Sequence, residues 1–361
     1  MTLRENTRQV TCGGVKIGGG ARVSVQSMCN TDTRDVVATV RQIKMLQEAG
    51  CEIIRVAVPD TEAAKAVEKI KKSIDIPLVC DIHFDYKLAL QCVDSGADKI
   101  RINPGNIGSI EKTREVAEKC KKFGLPIRIG VNGGSLEKNL WEKYGGPTAD
   151  ALVESALGHV RILEDCDFRD IVISIKASDV MTTVRAYQKL AEAVDYPLHI
   201  GITEAGTTWG GTVKSSVGIG AILASGIGDT IRVSLTGETS EEVKVGRKIL
   251  QSLNLGGGKM VEFTSCPTCG RTCVDLIGVA SEIEKRLYAL EAKGAFGKPF
   301  HAAVMGCAVN GPGEAKNADI GIAGGKNEFL LFENGEIIRK IPQENVADDF
   351  IDTVLKKFGG N

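Results

Sequence analysis

Between residues 23 and 237, short runs rich in Val, Ile and Leu alternate with longer stretches whose apolar residues recur every three or four positions. The first pattern belongs to strands and the second to amphipathic helices. Eight strands are predicted, at 23–30, 52–58, 78–84, 99–104, 127–132, 171–178, 198–204 and 231–237. Helical spacing shows in Val36, Val40, Ile43 and Leu46, and in Ile110, Val116, Cys120 and Phe123. Several units share a helix that ends at glycine before a strand, as in AGCEIIRV, SGADKIRI, FGLPIRIG and SGIGDTIRV. Eight such βα units match an α/β fold of the (β/α)8 TIM-barrel type. A dinucleotide-binding open sheet would carry GxGxxG after its first strand, and VSVQSMCNTDT has no glycine there. Between the fifth and sixth strands, Tyr144, Gly145, Gly146 and Pro147 read as an extended loop before an ordinary helix.

The glycine-rich stretch LNLGGGK, 253–259, divides a barrel at 1–254 from a smaller α+β domain at 260–361. In the second part a helix is expected around 274–290, a strand leading into MGCAVNGPGE, two more strands joined at ENGE, and a final helix at 345–358.

Period-2 alternation puts an unusual set on one face of the barrel strands. It includes Gln26 and Met28, Arg55 and Ala57, Asp81 and His83, Arg101 and Asn103, and Arg128, Gly130 and Asn132. Ser174 and Lys176, then His199, Gly201 and Thr203, then Arg232, Ser234 and Thr236, complete it. The opposite face is largely Val, Ile, Leu and Cys, which suits packing under helices, so the polar set points inward. Four arginines and a lysine cannot stay unpaired there, because desolvating each costs several kcal/mol. Only Asp81 and Glu204 are evident internal partners, which leaves room for a substrate with two phosphate groups, gripped by planar guanidinium forks. Glu204, just past the seventh strand, is the candidate general acid by position.

The 45 basic and 46 acidic residues of the 361 nearly cancel, which disfavours nucleic-acid binding through bulk charge. No run approaches the roughly 18 apolar residues of a membrane span. The start, MTLRENTRQV, lacks the apolar segment of a signal peptide, so a cytoplasmic protein is expected. Eleven cysteines, mostly isolated within apolar patterns, point to reduced thiols or metal ligands. Three lie in SCPTCGRTCV as Cys266, Cys269 and Cys273, and a fourth, Cys307, lies in MGCAVNGPGE. A CxxC turn serves zinc, an iron–sulfur cluster or a redox dithiol. A zinc ribbon would supply a second CxxC, which the chain lacks. Glu314 follows Cys307 by seven positions, across a glycine-flanked turn that can return it toward the thiol. Glu314 and Cys273 thus compete as fourth ligand.

SCPTCGR with GCAVNGPGEA resembles the 4-hydroxy-3-methylbut-2-enyl diphosphate synthase family of the non-mevalonate isoprenoid pathway, in its short bacterial form. VQSM, IIRVAVP, CDIHF, KIRINPGN, PIRIGVNGGSL, ISIKAS, HIGITEAG and IRVSLTG extend the likeness over nearly the whole chain. The resemblance implies a pterin-synthase-like barrel joined to a [4Fe-4S] domain, and reductive ring opening of 2-C-methyl-D-erythritol 2,4-cyclodiphosphate. It implies Cys266, Cys269, Cys307 and Glu314 as cluster ligands. It implies diphosphate contacts from Arg55, Arg101, Arg128, Lys176, Arg232 and Ser234, with Asp81 in the same site and Asn132 and Glu204 near the reacting carbons. The 37 residues between Cys269 and Cys307, and the extra Cys273, depart from some relatives. Flavodoxin, ferredoxin or another donor would supply the electrons; no short docking motif chooses among them. Two rivals are a zinc-stabilised barrel transferase and an iron–sulfur electron carrier with the barrel as scaffold.

Chain direction adds an expectation about assembly. A barrel's chemistry sits at the C-terminal strand ends, while its eighth helix delivers the chain to the opposite face. The seven linker residues span at most about 25 Å. A head-to-tail homodimer, each cluster domain capping the partner's barrel, follows.

Overall fold

The computed structural model of the chain describes residues 3–103, 106–107, 109–256, 260–308 and 315–360. Residues 1–256 and 257–361 form two compact units.

The first unit opens with a hairpin, β1 (Val10–Cys12) and β2 (Val15–Ile17), paired antiparallel. Gly13 and Gly14 make its turn with φ of 50° and 93°, the left-handed backbone that a two-residue hairpin loop requires. Strands and helices then alternate: β3 (Ser24–Met28), α1 (Val36–Glu48), β4 (Ile53–Ala57), α2 (Thr61–Lys71), β5 (Leu78–Asp81), α3 (Tyr86–Asp94), β6 (Lys99–Ile102), α4 (Ile110–Phe123) and β7 (Ile127–Asn132). They continue with α5 (Lys138–Tyr144), α6 (Ala149–Asp165), β8 (Ile171–Lys176), α7 (Val180–Ala193), β9 (His199–Ile200), α8 (Thr208–Ala224), β10 (Thr230–Ile231) and α9 (Thr239–Ser252). The eight strands from β3 onward pair in parallel in the order β8-β7-β6-β5-β4-β3-β10-β9. A parallel bridge between Ile173 and Leu198 joins the two ends of that order. The result is the expected (β/α)8 barrel.

Local chemistry starts these helices where the strands release the chain. Asp35, Asp60, Asp85, Ser109, Thr148 and Asp179 each accept a backbone N–H of the first helical turn. The strands end earlier than the apolar pattern predicts, β9 and β10 most of all, so residues 201–204 and 232–237 reach the mouth as loop. The expected loop before Pro147 is partly the helix α5, which stops at Gly145 in the left-handed conformation, φ 69°.

Alternation holds throughout. Ile54, Val56, Cys80, Ile100, Ile102, Ile129, Ile173 and Ile175 belong to the large core beneath the helices. Inward-facing Ile53, Val79 and Val172 pack instead with Val10, Cys12 and Ile17 of the hairpin, which floors the barrel.

The second unit is a five-stranded sheet of β11 (Val261–Ser265), β12 (Phe300–Met305), β13 (Ile320–Gly324), β14 (Glu328–Glu333) and β15 (Glu336–Pro342), in that order. The first three strands are parallel and the rest antiparallel. Helices α10 (Leu276–Ala292) and α11 (Val346–Phe358) bury Ile283, Leu287, Phe350 and Val354 in one core with Phe300. Phe300 stacks on Phe358 at 4.4 Å. The strands β11 and β13 add to those the sequence predicts.

Candidate functional site

The predicted inward cations lie inside the barrel. Arg55 on β4, Arg101 on β6, Arg128 on β7 and Lys176 on β8 are all under a tenth exposed. Arg232, one residue past β10, has a side chain 16% exposed. Two glycines make the room. A Cβ on Gly130 would sit 2.5 Å from Arg101 Nε, and one on Gly201 would sit 2.7 Å from Lys176 Nζ. Only glycine permits these heads to fold across the strands.

Asp81, at the end of β5, organises one side of this set. Its Oδ1 accepts from Arg101 Nη1 at 2.9 Å, and its Oδ2 lies 3.5 Å from Arg55 Nε. His83, more exposed, brings Nε2 to 3.8 Å from the same carboxylate. Arg55 also leans on the sulfur of Met28, Nη2 to Sδ 2.8 Å. Burial pushes the Asp81 carboxyl up, yet Arg55, Arg101 and Arg128 together hold it below its ordinary value. A carboxylate so engaged orients arginines and is itself a poor contact for phosphate.

The second internal carboxylate is not Glu204. Glu204 is exposed beyond β9 with φ of 52°, and Lys214 Nζ donates to its carbonyl oxygen at 3.3 Å. The buried partner is Glu242 from α9, 5% exposed, with Oε2 3.6 Å from Arg232 Nη2. Its Oε1 accepts the Leu235 N–H at 2.9 Å and its Oε2 the Ser27 hydroxyl at 3.3 Å. Glu242 thus stands among the internal carboxylates where Glu204 was expected, and Lys99, fully buried, adds to the inward basic residues.

Among the described residues Arg128 and Lys176 have no carboxylate partner. Burial, compounded by neighbouring like charges, pushes Arg128 and Lys176 well below their ordinary values, and burial brings Arg55 to about 9 against the opposing pull of Asp81. Arg101 Nε, Arg128 Nε and Nη2, and Arg232 Nε have no hydrogen-bond partner among the described residues. Such buried N–H groups need acceptors, and around Arg128 an anionic acceptor would also offset the charge. Asn132 closes β7 opposite Lys176 of β8 and is half-buried, and Ser234 is half-buried in the loop after β10. Both lie at the C-terminal strand ends.

In the second unit the chemistry sits at a sheet edge. Ser265 and Val304 are partners in the parallel register of β11 and β12, so Cys266 and Cys307 follow adjacent strands at the same edge. Gly306 donates its N–H to Cys266 Sγ at 3.2 Å. A backbone N–H from Arg271, foremost, holds the exposed Cys269 thiol below its ordinary value. Cys307 is 8% exposed. Cys273 is turned to a different use, its thiol donating to the Arg271 carbonyl at 3.1 Å and its N–H to the Gly306 carbonyl at 3.3 Å. Cys266 and Cys307 at one edge, with Cys269 three residues beyond Cys266 and the Cys266 sulfur already receiving an N–H, are donors of the type that fits an iron–sulfur cluster, whose sulfurs take such bonds. Among the described residues no three His, Cys, Asp or Glu side chains close around a single ion. Glu314 lies outside the described residues.

A parallel eight-stranded barrel holding more buried cations than internal carboxylates, followed by a thiol-bearing α+β unit, defines a two-domain barrel enzyme. Residues 7–247 match the model of the GcpE TIM-barrel domain, and residues 262–356 match that of the GcpE protein C-terminal domain. The chain belongs to the GcpE family. It is 60% identical to the 4-hydroxy-3-methylbut-2-en-1-yl diphosphate synthase (flavodoxin) of Ruminiclostridium cellulolyticum, over 96% of this chain and 97% of that one. The enzyme of the same name from Geobacter sulfurreducens is 58% identical, with 98% of each chain covered. Among solved structures, Yersinia pestis dihydropteroate synthase matches with a TM-score of 0.49 and 13% identity, over 68% of this chain and 98% of that one.

Proposed function

We propose that this chain opens the ring of 2-C-methyl-D-erythritol 2,4-cyclodiphosphate and removes a hydroxyl, giving 4-hydroxy-3-methylbut-2-enyl diphosphate at the cost of two electrons. The observation that carries the substrate class is the surplus of buried cations over the two internal carboxylates, Asp81 and Glu242. Relatives of 58% and 60% identity bear the name of that synthase.

In this reading Arg55, Arg101, Arg128, Lys176, Arg232 and Ser234 hold the diphosphate. Their charge stabilises the phosphate oxygen released on ring opening, without reorganisation at the moment of reaction. Asp81 and Glu242 fix the guanidinium groups. Asn132 orients the reacting carbons, and Glu204 protonates the departing hydroxyl from the mouth. A [4Fe-4S] cluster on Cys266, Cys269, Cys307 and Glu314 would supply the electrons singly, from flavodoxin as in the relatives' name, or from ferredoxin. The reaction takes place in the cytoplasm, and no helix among the described residues is long and apolar enough to cross a membrane. Two chains arranged head to tail complete each other's sites.

The test combines metal analysis of anaerobically purified protein with calorimetric binding of the cyclodiphosphate to metal-free protein. Iron together with tight binding is expected. Zinc in place of iron, or no binding by the barrel, overturns the reading. For the dimer, a barrel-dead chain carrying Arg101→Ala and Glu204→Ala is co-assembled with a cluster-dead Cys307→Ser chain. Activity must return in the heterodimer, and a heterodimer as inactive as its parents removes the shared site.

A further inference from the structure

Helix α8 turns an apolar face outward. Trp209, Val213, Val217 and Ala221 form one exposed row at every fourth position, with Trp209 82% and Val217 57% exposed. None of the residues that α8 exposes carries a charge. Its one cation, Lys214, is half-buried, with Nζ folded back onto the Glu204 carbonyl. Other barrel helices expose charge instead, as α2 does at Glu62, Lys65, Glu68 and Lys69. A contiguous apolar row left outside marks a contact with another molecule.

The row itself points to the occupant. Its spacing is uniform, and its bulk falls from Trp209 through two valines to Ala221. Laid antiparallel on its own copy, it sets Trp209 against the partner's Ala221 and Val213 against the partner's Val217, both pairs centred on position 215. Large then meets small, which lets the facing side chains interdigitate. Laid parallel, Trp209 would meet Trp209 and Ala221 would face a gap. Charge on the adjacent helix agrees. Helix α7 packs beside α8 and exposes Arg185 and Glu192, neither of which makes an ion pair among the described residues. A two-fold axis crossing α8 at right angles lays α7 antiparallel on its own copy, with Arg185 opposite the partner's Glu192. The midpoint of that pair falls between Gln188 and Lys189, eight to nine positions past Val180, and position 215 lies seven past Thr208. One axis therefore serves both helices. An unrelated partner would need neither match.

We infer that the outward faces of α8 and α7 form the seam between two copies of this chain, with Trp209 of each seated over Ala221 of the other. The inference rests on the head-to-tail dimer proposed above and specifies the surface that makes it. Barrel helices run from the mouth toward the opposite face, so antiparallel α8 helices set one mouth beside the face to which the partner's α9 delivers its chain.

Sedimentation equilibrium of the full chain tests the seam. Val217→Glu and Val213→Lys should each raise the dimer dissociation constant at least about 100-fold, because each puts two charges against apolar positions of the partner. An equal mixture of the two should return to within about tenfold of the parent: the introduced charges then face each other at one pair of positions, and both valines survive at the other. Arg185→Glu should weaken the dimer several-fold, and adding Glu192→Arg should restore it. A parent chain that stays monomeric at micromolar concentration overturns the inference, as does a Val217→Glu chain that dimerises like the parent, or a mixture no tighter than either variant alone. Should Val217→Glu or Val213→Lys fail to fold by circular dichroism, Arg185→Glu with and without Glu192→Arg decides. If Val217→Glu dimerises like the parent while the barrel-dead and cluster-dead chains still restore activity on mixing, another surface joins the copies: the seam falls and the head-to-tail reading stands. If Val217→Glu dissociates and that mixing restores nothing, the seam stands and the shared site falls.

Discussion

The barrel and the second unit place their chemistry in opposite parts of their folds. In the barrel the charged face is the inside of the sheet: Arg55, Arg101, Arg128 and Lys176 occupy positions that branched apolar residues ordinarily fill. In the second unit both faces of the sheet are apolar, one packing Phe300, Ile320 and Phe350, the other Ala303, Met305 and Phe332. Its thiols stand past the strand ends, where Cys266 packs only against the margins of both cores. Stability and function are therefore entangled in the barrel and more nearly separable in the second unit, at Cys307 above all.

The largest effect expected is at the edge. Cys307→Ser should abolish iron binding and turnover, yet leave the urea midpoint of the metal-free protein nearly unchanged, because β12 and its core are complete without the thiol. Cys273→Ser should keep iron and most activity, since its thiol is bonded to a backbone carbonyl. If Cys273→Ser loses iron while Cys307→Ser retains it, the ligand assignment is wrong. The next largest effect is inside the barrel. Asp81→Ala strands Arg55 and Arg101 in the interior and should cost about 3–5 kcal/mol of stability. A urea midpoint unchanged by Asp81→Ala would show that these arginines are solvated, and the contrast between the two units would fail.

Arg101→Ala and Arg232→Ala should each weaken cyclodiphosphate binding by about 1.5–3 kcal/mol, roughly 10- to 150-fold, with iron content unchanged. Titration calorimetry on iron-replete protein measures both. Unaltered affinity in the two variants would remove them from the substrate site.

Much of this arrangement is legible in the sequence because strand geometry is periodic. Once 52–58 and 99–104 are read as strands, Arg55 and Arg101 can point only inward. The same parity extends to Lys99, whose burial the pattern signals at the first residue of its strand. Glu242 is invisible to that rule: it comes from a helix, where an acidic residue in the first turn reads as ordinary favourable placement near the positive end of the dipole. Glu204 falls on the expected strand but is exposed, because β9 lasts only two residues and the chain has left the ladder before reaching it. The floor hairpin had a readable signal in VTCGGVKI, two short β runs around Gly-Gly. The thiol edge is half legible: CxxC spacing fixes Cys266 near Cys269, whereas the approach of Cys307 depends on β11 pairing with β12, a long-range parallel register that local pattern does not encode.

The smallest effect concerns a hydrogen-bonded carboxylate of the barrel unit that lies outside the cationic interior. Glu137, just before α5, brings Oε1 to 2.9 Å from His159 Nε2, and the Ser155 hydroxyl donates to the same oxygen at 3.0 Å. Burial pushes its carboxyl up, but the His159 bond, its own backbone N–H and Ser155 outweigh this and hold it at about 2. A depressed folded value means that the carboxylate form stabilises the fold: the contribution is complete above the ordinary glutamate value and is lost as the pH falls from about 4.5 toward 2. With the side chain 32% exposed, solvent screening reduces it to about 1 kcal/mol. Glu137→Gln should therefore be less stable than the parent chain by about that amount at pH 7. The gap should narrow as the pH is lowered through 4 to 3, because the parent loses the contribution and the amide has none to lose. Urea unfolding of both chains at several pH values reads the gap directly. A gap that stays constant down to pH 3 would assign the loss to the altered hydrogen bonds of the amide, and the carboxylate charge of Glu137 would then play no part in holding α5 to α6.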